Sequence, residues 1–435
     1  MQINFYYITG QGISFTEQLD NLFANYTPRG ITIRLVLFGN PANRQEYQQH
    51  FKLINQKLNT VFGVKSPVFT YVPQPPVEQF QLAMEVFELK TDNGTQIFYK
   101  QKESLPYIIV QTSEMKALFV GGASSSLPDE SIQKQSDMIF SNLEDIFVLE
   151  KMPVSSIVRQ WNYIEKITQL ADNNQNYQEF NDARSRFYQK TEWKDGFPAA
   201  TGIGIEYGGV IVDLDAIYTN GSDIKIVPLN NSLQVAAHDY SDAVLVATKD
   251  EKCGFATTPK FERGKLVLSG TEGTIYISGT AAIRGEMSLK NMGIGEQTRI
   301  TLENIEHLIS EETLANSGTG VFGKVEISSL RIYLKEESFF EPCKRIVDEN
   351  YPGVPAVYLK ADICRDELLV EIEGLAIIKA DHERLTATPR GDIESEVIPC
   401  YRNREQLKKN MEWLEIGKAN SVAIQQNKKF YDELR

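Results

Sequence analysis

The sequence predicts an α+β protein made of mixed sheets that carry helices on one face. Three observations predict it: an internal repeat, strands that alternate apolar and acidic residues, and helices with a single apolar stripe. In the repeat, residues 118–123 read LFVGGA and residues 275–280 read IYISGT, each a strand that stops at a small-residue turn. Residues 135–147 (QSDMIFSNLEDIF) and 297–309 (QTRITLENIEHLI) both keep Gln and Asn seven apart. Their apolar residues fall in matching phase: Met138, Ile139, Leu143 and Ile146 in one, Ile300, Ile305, Leu308 and Ile309 in the other. Spacings of three and four make each an amphipathic helix with one buried side.

The parallel runs on. Ser155-Ser156-Ile157-Val158-Arg159 matches Ser328-Ser329-Leu330-Arg331, and Pro198-Ala199 matches Pro355-Ala356. Strands 211–216 (IVDLDA) and 370–374 (VEIEG) follow. Both alternate apolar and acidic side chains with period two, which predicts one face in and one face out. The first 90 residues look like the second half of the same unit. They offer a strand at 31–38, a helix at 45–62 with Gly63 as its C-cap, and strands at 67–72 and 82–89. The expected organisation is an N-terminal domain over 1–225 (half-unit 1–90 plus a full unit 91–218) and a C-terminal domain over 226–380. A charged helical appendage over 381–435 is expected to follow, with Leu407, Met411, Leu414 and Ile416 as its apolar stripe.

Composition narrows the function classes. At 435 residues the chain has room for two or three domains of ~150 residues. It is 42% hydrophobic and 24% charged, a globular balance. The formal charge of −13 argues against nucleic-acid or membrane-surface partners, which need basic patches. No run reaches the ~18–20 apolar residues of a membrane helix, and MQINFYYITG does not read as a signal peptide. Cys253, Cys343, Cys364 and Cys400 show no C-x-x-C spacing, and the four histidines lie far apart. Neither a disulfide framework nor a metal site is expected, and the default is a reduced cytoplasmic protein. The glycines of GIGIEYGG are spaced G-x-G-x-x-x-G-G with no helical pattern after them, so no dinucleotide cofactor is expected.

The strand ending in SG, the helix with Gln and Asn, the proline-led strand and VEIEG together resemble the RidA (YjgF, endoribonuclease L-PSP-like) superfamily. Five stretches are similar to its chorismatase branch: QWNYI at 160–164, FNDAR at 180–184, PAATGIG at 198–204, PKFER at 259–263 and DICRDELLVEIEG at 362–374. The resemblance implies two packed RidA-like domains and hydrolysis of the enolpyruvyl ether of chorismate, or of a similar small dicarboxylate, with release of pyruvate. It implies Glu371 as the acid, protonating a methylene carbon, and therefore a carboxyl whose pKa burial must raise. It implies Arg184, Arg263 and Arg365 as arginine forks for two substrate carboxylates, with Tyr163 and Thr201 supplying hydroxyls and Arg159 a weaker candidate. The expected partner is a small anionic metabolite, the expected state a monomer or small homo-oligomer. The arginine that single-domain RidA enzymes carry two residues after the proline is replaced here by Phe69, Ala200 and Val357. Residues 234–241 (QVAAHDYS) depart from the chorismatase pattern, with His238 in place of a tyrosine. The alternative is therefore a RidA-like protein that binds small carboxylates without turnover, or deaminates imines.

Overall fold

A computed structural model of the chain describes residues 2–380, apart from 79–81, 92, 128, 172–173, 220–222, 246–256 and 318–322. The expected C-terminal helix lies outside the described residues.

Residues 1–90 build a sheet of their own. β1 (Gln2–Gly10), α1 (Phe15–Asn25), β2 (Ile31–Gly39), α2 (Arg44–Phe62), β3 (Val68–Val72) and β4 (Leu82–Lys90) form four strands in the order β1-β4-β2-β3. The helix at 44–62 ends at Gly63 with φ 56°, the left-handed conformation that glycine takes most readily. β1 and α1 escape the sequence pattern. β1 is an edge strand that is half-buried along most of its length, so its side chains show no alternation. α1 has only eleven residues, though Ser14 and Glu17 form a capping box at its start.

The second sheet uses β5 (Gln96–Lys102), β6 (Leu105–Gln111), β7 (Met115–Ser124), β8 (Ile157–Glu165), β11 (Ala199–Ile205) and β12 (Val210–Thr219). Helix α3 (Ile132–Glu150) joins β7 to β8. A small ribbon of β9 (Leu170–Ala171) and β10 (Asn174–Gln175) leads into α4 (Asn176–Tyr188). The third sheet uses β13 (Ile224–Leu229), β14 (Gly264–Ser269), β15 (Glu272–Ala281), β18 (Gly323–Leu334), β19 (Ala356–Lys360) and β20 (Val370–Ala380). Between its strands lie the ribbon β16 (Ile283–Arg284) with β17 (Met287–Ser288), and helices α5 (Ile294–Leu308), α6 (Glu311–Asn316) and α7 (Phe340–Asn350). The orders β11-β8-β12-β7-β6-β5 and β19-β18-β20-β15-β14-β13 are the same, and β3-β2-β4-β1 is that order without the outer hairpin. Each sheet has one parallel pair joined through a helix, β2 with β3, β8 with β11 and β18 with β19.

The repeated glutamine has a mechanical role. Gln297 Oε1 accepts from Leu369 N, and Gln135 Oε1 accepts from Val210 N, so each long helix is tied to the start of its sheet's last strand. The helices cover one face of each sheet with apolar contacts, Phe140, Phe180 and Phe187 in the second unit and Ile305, Ile346 and Val347 in the third.

The other face is not solvent-exposed, as alternation had suggested. The three sheets turn their helix-free faces toward each other, and Asp213, Asp215 and Glu373 are at most 2% exposed there. Neutralisation makes that possible. Arg34, Arg159 and Arg331 occupy equivalent places on β2, β8 and β18, and each pairs with a carboxylate from the next sheet: Arg34 with Asp215, Arg159 with Glu373, and Arg331 with Glu85, whose Oε2 lies 2.7 Å from Nε. All three guanidinium carbons lie 4.6 to 5.4 Å from the ring centre of Trp161. Arg34→Met is expected to lower unfolding free energy by ~3–5 kcal/mol, since it strands a buried carboxylate. Denaturant titration checks this, and Arg34→Met with Asp215→Leu together should recover most of the loss.

Candidate active site

The chemistry gathers on one seam, where β11 of the second sheet lies along β15 of the third. Ala200 N donates to Ser278 Oγ at 2.9 Å, Gly279 N to Thr201 Oγ1 at 3.0 Å, and Glu262 N to the Pro198 carbonyl at 3.0 Å. Lys265, buried on β14, donates to the Gly196 and Phe197 carbonyls at 2.9 Å, and burial lowers its pKa to about 8. Beside this seam opens a pocket whose walls come from α4, β15, β20 and the segments 240–245 and 259–263.

Glu371 stands in its wall. It sits on β20 opposite Tyr333 of β18, 5% exposed. Among the described residues no group hydrogen-bonds its carboxyl, so both oxygens are available to a ligand. Burial, then the charge of Glu373 two residues along, push it up to about 8 against the pull of Arg159 and Arg263. Glu373 is held on all sides: Arg159 and Thr201 bond Oε2, while Tyr333 Oη donates to Oε1 at 2.8 Å and Arg331 lies 3.2 Å away. Burial, helped by that neighbour, leaves Glu371 a neutral acid at pH 7. Gly279 makes the room: a Cβ there would stand 2.0 Å from Glu371 Oε1.

Three arginines face the same space, and among the described residues none of them pairs with a carboxylate. Arg184 is 1% exposed, donates from Nη2 to Asn181 Oδ1 at 2.6 Å and has no partner for Nε. Arg263 is 4% exposed and donates to the Val235 carbonyl at 2.7 Å and Tyr240 Oη at 2.6 Å, again with Nε unpartnered. Arg365 donates to the Glu286 carbonyl and to Ser288 Oγ, and its guanidinium lies 5.2 Å from the ring centre of Tyr240. Buried guanidiniums with unused donors favour an anionic ligand.

The family model described as Chorismatase FkbO/Hyg5-like, N-terminal, matches residues 88–215. A 3-hydroxybenzoate synthase of Streptomyces hygroscopicus is 32% identical over 238 residues, 53% of this chain and 66% of that protein. A chorismatase of Streptomyces rapamycinicus is 28% identical over 226 residues, 51% of this chain and 64% of that protein. The matches thus span just under two thirds of these curated relatives' own length. A crystal structure of chorismatase superposes with a TM-score of 0.58 at 20% identity, covering 86% of this chain and 99% of that one. The fold is that of the crystallised chorismatase.

In this chorismatase-like fold, Glu371, Arg184, Arg263 and Arg365 come together in one pocket although they are spread over nearly 190 positions of sequence. Two expected contacts do not line it. Tyr163 lies in the central interior, where its Oη accepts from Arg331 Nη1 at 2.9 Å. Thr201 directs its hydroxyl to Glu373 and Arg159, away from the pocket. Both are fixed by the charged centre between the sheets, which no local pattern reveals. Arg159 belongs to that centre too. Cys364 lines the pocket as a neutral thiol, since burial, then Glu371, push it up to about 12. His238 is outside, its ring centre 5.4 Å from that of Phe197. Sequence reasoning missed Tyr240, Gln178 and Asn181. Asn181 stood inside FNDAR, three residues before Arg184 and therefore on the same helical face.

The raised pKa makes a stability prediction. Below its unfolded pKa of 4.5 Glu371 is protonated in both states; from there to about 8 the unfolded chain alone releases the proton, so wild type loses stability as pH rises and levels off above 8. The melting-temperature gap between Glu371→Gln and wild type should therefore widen in favour of the variant from pH 5 to 8. A gap independent of pH would contradict the raised pKa.

Proposed function

We propose that this chain hydrolyses the enolpyruvyl ether of chorismate, or of a closely similar dicarboxylate, and releases pyruvate. The observation that carries the reading is a neutral, buried carboxylic acid at Glu371 facing guanidinium groups that have no carboxylate partners among the described residues. The relatives named chorismatase and 3-hydroxybenzoate synthase support the same substrate class.

An enol ether is cleaved by protonating its methylene carbon. Glu371 delivers that proton, and the substrate becomes an oxocarbenium ion. Water adds to the cation, and the resulting hemiketal collapses to pyruvate and the ring alcohol. The ring leaves as a cyclohexadiene diol, or as a hydroxybenzoate if a further water is lost. The carboxylate left on Glu371 sits opposite the new cation and is reprotonated before the next turnover. Arg184, Arg263 and Arg365 bind the two substrate carboxylates and so overcome locally the repulsion of a chain with net charge −13. Their geometry is set before substrate arrives, by Asn181, Tyr240 and Ser288, so little ordering remains to be done on binding.

Pyruvate release followed with lactate dehydrogenase tests the reading. Glu371→Gln should lower kcat on the order of 10²- to 10⁴-fold, the usual worth of a positioned general acid. Wild-type protein inert on chorismate and on related enolpyruvyl compounds would remove the proposal. Gly279→Ala is expected to lower kcat by at least tenfold by displacing the carboxyl, since the added methyl would stand 2.0 Å from Glu371 Oε1 and 3.1 Å from Thr201 Cγ2; circular dichroism checks that the fold is kept.

A further inference from the structure

Asn181 stands in the middle of α4, where asparagine is a poor helix former, and it is 1% exposed. Its amide has two ends with different obligations. Arg184 can only donate, so the atom 2.6 Å from Arg184 Nη2 is the oxygen. That fixes the orientation of the amide and turns Nδ2 the other way. Nδ2 is buried and has no acceptor among the described residues, and the residue lines the pocket. The adjacent guanidinium repeats the pattern, with Arg184 Nε also unpartnered. Two unused donors therefore lie one helical turn apart on the same wall of one pocket. A buried amide N–H left without an acceptor is unfavourable, and folded proteins keep few of them.

We propose that Asn181 is a substrate-contacting residue whose Nδ2 donates to the same ligand carboxylate that Arg184 holds. This rests on the anionic-substrate reading above and assigns one end of the pocket within it. One oxygen of the carboxylate takes Arg184 Nε, and the other takes Asn181 Nδ2. The Asn181 oxygen meanwhile keeps Arg184 in place. Gln178, one turn earlier on the same face, does not share the role: its amide nitrogen is already committed to Asp182 Oδ1 at 2.8 Å and the Thr257 carbonyl at 2.9 Å.

The test must separate direct contact from mere support of Arg184. Chorismate and 3-hydroxybenzoate are titrated calorimetrically into Glu371→Gln protein, which does not turn over. Asn181→Ala is then added with Arg184 intact and again with Arg184→Met. A residue acting only through Arg184 has nothing left to support in the second background. Direct donation predicts that Asn181→Ala weakens binding on the order of tenfold in both backgrounds. No further weakening with Arg184→Met overturns the proposal while leaving the anionic-substrate reading in force. Failure of both compounds to bind the Glu371→Gln protein overturns both. A second measurement avoids the double variant: in wild-type protein labelled with ¹⁵N-asparagine, 3-hydroxybenzoate should shift the Asn181 side-chain amide and slow its exchange. An unmoved Asn181 amide at saturation also overturns the contact.

Discussion

Three arginines buried around one tryptophan set the terms for everything else in this molecule. Arg34, Arg159 and Arg331 come from three sheets, surround Trp161, and each crosses to a carboxylate on a neighbouring sheet. None of these charges tolerates removal from water without its partner, so the sheets must meet face to face and in one register. Packing three acidic strand faces together would otherwise be prohibitive. The ring therefore acts as a registry device for the fold as well as an electrostatic reservoir for the site. Glu373 shows both roles. It locks the second and third sheets together through Arg159, and after burial it is the next cause of the raised pKa of Glu371.

One strand position recurs three times and meets three fates. Glu85, Asp213 and Glu371 lie opposite Val36, Trp161 and Tyr333, each two residues beyond the ring arginine of its sheet. Glu85 is consumed by its ion pair with Arg331. Asp213 is shorter by one methylene and is held by Thr70 Oγ1 and Gly122 N, both at 2.7 Å. Only Glu371 reaches past its glycine into a pocket. At Gly279, the counterpart of Gly122, the backbone N–H is taken by Thr201 instead, so Glu371 is not held by the backbone. The same layout thus produces a structural ion pair, a pinned carboxylate and a free acid, according to side-chain length and which neighbour claims the donor.

Much of the fold was legible because periodicity reports burial directly. The helices at 44–62, 132–150 and 294–308 and the paired last strands follow from apolar spacing, and the Gln135 and Gln297 repeat marks where helix meets strand. The first 90 residues were harder. Their edge strand lacks alternation, so they read as half a unit although they close a sheet with two helices. The acidic alternation of IVDLDA and VEIEG was visible, but period two says only that two faces differ, not what covers each of them. Tyr163 and Thr201 went astray for that reason: their motifs are local, while the groups that claim them, Arg331 and Glu373, stand 168 and 172 residues away.

The sequence by itself determined the class of fold and offered a short list of charged candidates, because these depend on spacing and residue type along one strand or helix. The tertiary structure decided which of those charges are spent and which are free. Arginines at 34, 159 and 331 are neutralised in the centre, whereas Arg184, Arg263 and Arg365, beside Glu371, have no carboxylate partner among the described residues. That division is made by partners distant in the chain and by the low dielectric in which they meet. Burial and a neighbouring fixed charge, rather than the identity of the glutamate, make Glu371 an acid at neutral pH.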